Sequence, residues 1–157
     1  MPDKETVERA KEDAREGKSP STQAGEFVRE EMHHIREGKH GAASAKQAIA
    51  IGLSKARRSG VKLAPPKASA STSTKKQAAR DSRKGQSGSA SHPSRRRSRA
   101  VSGALKREGK SAASHASLSR HAKIAARKRS PAARKRSATK AARTRRTTRN
   151  REAARTR

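Results

Sequence analysis

Residues 44–58, Ser-Ala-Lys-Gln-Ala-Ile-Ala-Ile-Gly-Leu-Ser-Lys-Ala-Arg-Arg, decide the fold class. Ala45, Ala48, Ile49, Gly52, Leu53 and Ala56 recur at i, i+3, i+4, i+7, i+8 and i+11, one face of an α-helix. Ser44 and Gln47 form the S-x-x-Q capping box that opens such a helix. The spacing therefore predicts a helix over 45–58, the strongest periodic signal in the chain. Gly52 has no Cβ and lies on the apolar face, so a second helix can approach closely there. Ser59-Gly60 stops the helix, Val61 and Leu63 fold back, and Pro65-Pro66 ends the module.

Working toward the N-terminus, Ser19-Pro20 reads as an N-cap followed by proline at the first helical position. A helix over 21–37 follows, with Ala24, Phe27, Val28, Met32 and Ile35 inward and Glu26, Arg29, Glu30 and Arg36 toward water. Before it, residues 3–16 read as a solvated helix, capped by Asp3. Its thin stripe of Val7, Ala10 and Ala14 calls for a partner. The tetrapeptide Arg-Glu-Gly-Lys closes a helix at 15–18, at 36–39 and again at 107–110. After its third copy the chain loosely echoes residues 41–58, with the large apolar residues lost.

Charge divides the chain. Residues 1–63 carry 13 Lys/Arg and 10 Asp/Glu, whereas residues 64–157 carry 29 and 3, a net of +26 out of +29. Hydrophobic residues are 29% of the chain and aromatics 1%, too few for one core through all 157 residues. The expected architecture is all-α: a helical module over 1–63 followed by a largely disordered basic half containing at most weak helices. Within that half, 64–97 reads as a basic Ala/Ser/Lys linker, 98–129 as a weak helical hairpin and 130–157 as a disordered tail.

A segment of this charge is completed by a polyanion, because phosphates replace self-repulsion with ion pairs and release condensed counterions. The densest clusters are Arg95, Arg96, Arg97 and Arg99; Arg127, Lys128 and Arg129; and Arg134, Lys135 and Arg136. Lys140, Arg143, Arg145, Arg146, Arg149 and Arg151 extend the last of these, and Lys55, Arg57 and Arg58 are accessory candidates. Such groups position a protein on phosphates without reading sequence. Single-strand binders stack bases on aromatic rings, and Phe27 is the only aromatic residue here. Duplex DNA is thus the expected partner, with RNA or ribosome association as an alternative. Docking or self-association through the 21–58 hairpin is another. A helix-turn-helix reading with Lys46 and Gln47 at bases is weaker than a plain αα-hairpin.

Other chemistries find no support in the sequence. Cysteine is absent. The Gly-Lys-Ser at 17–19 and at 109–111 lacks the preceding glycine and strand of a phosphate loop. His33, His34 and His40 read as surface or turn histidines, so no metal, cofactor or small-molecule substrate is expected. Nor is an enzyme. The polar N-terminus is unlike a secretory signal, and no apolar run has the length of a membrane span.

At STQAGEFVREEMHHIREGKHGAASAKQAIAIGLSKARRSGVKL, residues 21–63, the chain resembles a family of small, basic, uncharacterised bacterial proteins, sometimes labelled plasmid stabilisation or DNA-binding proteins. KQAIAIGLSKARR is the most distinctive string. The likeness covers 1–63 closely and 104–123 loosely. Ala43 stands where that family often has a basic residue before the capping serine. The resemblance implies a bacterial cytoplasmic protein of the nucleoid, associated with DNA, and supplies no catalytic residues. The tail resembles linker-histone tails in composition.

Overall fold

The computed structural model describes residues 2–87 and 94–155. Among them are seven α-helices and one 3-10 turn: α1 (Lys4–Arg15), α2 (Pro20–Glu37), α3 (Ala45–Arg58), α4 (Thr72–Gln86), α5 (Arg95–Arg107), the turn Lys110–Ala113, α6 (His115–Arg127) and α7 (Pro131–Arg155). The chain divides into two compact units, Met1–Leu118 and Ser119–Arg157.

The three N-terminal helices form where spacing and caps place them. The capping box at α3 is complete: Gln47 N donates to Ser44 Oγ at 3.2 Å, and Ala43 N donates to Gln47 Oε1 at 2.8 Å. The first two Arg-Glu-Gly-Lys copies end α1 and α2 with Gly17 and Gly38 in the left-handed region, at φ 71° and 82°. The third copy behaves differently, since its Gly109 precedes the 3-10 turn with φ −76°. On α1, Thr6 rather than Ala14 joins Ala10 on the buried face.

Two small apolar clusters hold the first unit. Ala10, Ala24, Phe27 and Ala56 form one, edged by Val7, Leu53, Val61 and Leu63. Met32, Ile35, Ala42, Ala48, Ala112 and Ala113 form the other, edged by Val28, Ile49 and Leu118. The second cluster is completed from far along the chain. Gly41 N donates to Leu105 O at 2.8 Å, Ala42 N to Gly109 O at 3.2 Å, and Arg36 Nε to Ala113 O at 3.0 Å. These contacts seat the 3-10 turn on α2 and α3.

The crossing of α2 and α3 is set by Gly52. A Cβ there would lie 2.7 Å from Val28 Cα and 3.0 Å from its Cγ2. Gly52→Ala gains about 1 kcal/mol of helix propensity, but overpacking costs about 1–3 kcal/mol, and a backbone atom at that distance cannot rotate aside. The variant is expected to lose up to about 2 kcal/mol net, read as a lowered denaturation midpoint at unchanged slope.

The expectation of a largely disordered C-terminal half is overturned, because α4 to α7 make that half helical. Self-repulsion is outweighed by helix propensity. Like charges at i, i+4 cost only about 0.2–0.5 kcal/mol per pair, while Ala, Arg and Lys are among the best helix formers. Serine supplies the starts: Ser71, Ser94, Ser114 and Ser130 accept from the backbone N of Thr74, Arg97, Ser117 and Ala133 at 3.2–3.4 Å. Pro131 then occupies the first position of α7. Residues 72–86, read as linker, instead form α4 packed on α3. Its anchor is Asp81, 1% exposed, which accepts from Ser54 Oγ at 2.7 Å, Arg58 Nε at 2.8 Å and Gln77 Nε2 at 3.0 Å.

Candidate nucleic-acid interface and a buried charge cluster

The sequence-predicted cations are displayed on helices. In the first unit, Arg95, Arg96, Arg97 and Arg99 occupy the opening turns of α5, all exposed. Positive side chains oppose the positive end of the helix dipole by up to about 0.3–1 kcal/mol each, whereas a phosphate there is favoured. In the second unit, Arg127, Lys128 and Arg129 end α6 and lead into α7, again exposed. Arg134, Lys135, Arg136, Lys140, Arg143, Arg145, Arg146 and Arg149 project from α7 into solvent. Among the described ion pairs, none engages these residues. The side chain of Arg151 lies outside the described residues.

One side of α7 is shared by Lys135, Arg136, Lys140 and Arg143, with Thr139, Thr144 and Thr147 between them. Each threonine donates its hydroxyl to the carbonyl four residues earlier, on Lys135, Lys140 and Arg143, at 3.0 Å. The hydroxyls are therefore engaged within the helix, and the long cationic side chains are what this side offers a ligand. Sequence reasoning missed a further set: Lys75, Lys76, Arg80, Arg83 and Lys84 are exposed on α4. The segment's many serines and single acid gave it the look of a linker. Beside the capping Ser71, a signal of an ordered helix is that lone Asp81, spaced four residues from Gln77.

The accessory candidates divide. Arg57 is half-buried. Arg58 is tied to Asp81. Lys55 turns inward to a buried charge cluster, where its ammonium meets Glu31 Oε2 at 2.8 Å and Glu30 Oε1 at 3.1 Å. Glu30, read as facing water, is 6% exposed, and Glu31 is 0% exposed. Burial pushes the Lys55 ammonium toward neutrality, but its close approach to the Glu31 and Glu30 carboxylates outweighs this and raises its pKa above the ordinary value.

Two histidines complete the cluster. His40 Nε2 is 3.3 Å from Glu31 Oε1. His34 is 8% exposed, with Nε2 3.2 Å from Asp3 Oδ2 and Nδ1 3.8 Å from Glu30 Oε1. The hydrogen bond to His34 lowers the pKa of the Asp3 carboxyl, against a smaller opposing effect of desolvation. Asp3 caps no backbone N–H of α1 with its side chain, because that side chain is engaged here. His34 and His40 are thus buried or half-buried beside carboxylates, whereas His33 is exposed and pairs with Glu37. The expectation of surface or turn histidines thus holds for His33 and fails for His34, whose i, i+3 spacing from Glu31 is the one sign of it in the sequence.

Of the two residues of the helix-turn-helix reading, Lys46 is exposed and Gln47 is engaged elsewhere. The Gln47 side chain is spent on the cap of α3. The apolar faces of α2 and α3 are covered by α1, α4 and the 3-10 turn. Among the described residues, no helix is long and apolar enough to cross a membrane.

No curated protein and no solved structure matches the chain. The model of a family of unknown function, DUF6496, matches residues 17–68. That match spans α2 and α3 with Glu30, Glu31, His34, His40 and Lys55, and stops before α4 and the basic helices.

Proposed function

We propose that this is a non-enzymatic DNA-binding protein of the bacterial nucleoid, or of plasmid maintenance, that holds duplex phosphates with little sequence preference. The observation that carries the reading is the exposed cationic surface of α7, for which the described residues show no ion pair. At 1.5 Å per residue its 25 residues extend about 37 Å, close to one turn of duplex, about 34 Å. A basic helix of that length can follow phosphates along a groove. The helix has no aromatic residue with which to stack bases of a single strand. The exposed cations of α4 and α5 add further phosphate contacts.

A salt series on random duplex with the full chain tests this. With about 8 phosphates contacted, log K falls by about 7 per decade of salt. A flat response overturns the reading. Structured RNA that outcompetes duplex at equal salt transfers it to RNA.

A further inference from the structure

We propose that Glu31, His34 and His40 form a binding site for a divalent transition-metal ion of the zinc class. This inference does not depend on the nucleic-acid reading.

The first ground is placement. One ligand atom from each residue lies within 4.8 Å of the others. In a tetrahedral site with bonds of about 2.0–2.2 Å, ligand atoms are about 3.4 Å apart, so contraction of about an ångström by side-chain adjustment assembles it. Glu31 and His34 come from successive turns of α2. His40 comes from a loop whose next residue, Gly41, is tied to Leu105 O at 2.8 Å.

The second ground is Glu31 itself. It is fully buried, and neither carboxylate oxygen has a hydrogen bond of good geometry. Lys55 and His40 approach at ion-pair distance without satisfying the lone pairs. Buried carboxylates left so are costly. An ion between Oε1 and His40 would engage the unsatisfied oxygen and leave Lys55 on Oε2 and Glu30.

The third ground is charge. The buried carboxylates Glu30 and Glu31 share one ammonium, Lys55. With neutral imidazoles these three groups carry −1, an excess that a bound cation offsets. Two imidazoles and one carboxylate select zinc, cobalt, nickel or iron over calcium and magnesium, which prefer oxygen ligands. A second trio, Asp3, Glu30 and His34, overlaps the first at His34. It has one nitrogen ligand and an exposed member, and so is the poorer site.

The test is zinc binding by the full chain, in competition with a chromophoric chelator, together with the visible spectrum of a cobalt-loaded sample. One equivalent is expected to bind, with the intense absorption of four-coordinate cobalt. His40→Ala should weaken binding by at least about 100-fold, beyond what loss of an outer-shell partner costs. His33→Ala should leave it unchanged. Lys55→Met, destabilised without metal, should be restored by zinc more than the wild type is stabilised. No stoichiometric uptake, or equal losses in the two histidine variants, overturns the site. So does a cluster stabilised by mild acid and indifferent to zinc, since protonation of an imidazole would then balance the charge.

Discussion

Duplex affinity should fall by roughly three to four orders of magnitude at 0.1 M salt when Lys135, Arg136, Lys140 and Arg143 are all replaced by glutamine. Each phosphate contact contributes about 0.9 to the salt slope, so four contacts remove about 3.6 from it and a similar number of decades in K at that concentration. Glutamine keeps nearly the helix propensity of arginine and lysine. Circular dichroism should therefore be unchanged, which separates lost charge from lost helix. A fall of less than about tenfold, with the slope preserved, would show that this side of α7 does not meet the phosphates.

Lys55→Met should destabilise the metal-free first unit by about 3–5 kcal/mol, because it leaves Glu30 and Glu31 buried without their cation. Domains of this kind hold about 5–15 kcal/mol in all, so thermal or urea denaturation will register a large change. Methionine retains most of the aliphatic stem, so the loss is chiefly electrostatic. The same pair gives an alkaline signature. The Lys55 pKa is raised on folding. Its contribution is therefore fully present below the unfolded value, near 10.5, and is lost as pH rises through the higher folded value. The wild type should lose stability in that alkaline window, and Lys55→Met should not share this component.

Helix α3 is legible in the sequence because two independent signals agree on it: the 3.6-residue recurrence of Ala45, Ala48, Ile49, Gly52, Leu53 and Ala56, and the Ser44–Gln47 box. Helix α2 is legible for the same reason, from Ser19-Pro20 to Gly38. Helix α7 has neither an apolar face nor a tertiary anchor among its described side chains, so its helicity rests on propensity and on the Ser130 cap. Propensity is a weak prior, and without an apolar face it leaves little periodic pattern to read. The exposed cations required only counting. The buried cluster was hidden for a different reason. Glu30, Glu31 and His34 are common surface residues by type, and their burial follows from the pairing of α2 with Lys55 on α3 and with Asp3 before α1. None of those distances can be read from spacing along the chain.

The 3-10 turn that completes the cluster around Met32 and Ile35 has a consequence for synthesis. Arg36 and the carbonyl it meets on Ala113 are 77 residues apart. At about 5–20 residues per second, the ribosome takes roughly 4–15 s to deliver the second after the first. Through that interval the nascent α2–α3 pair stands with an uncovered oily seam, the condition in which a holdase chaperone engages a chain. Truncation anywhere before residue 112 would make that interval permanent.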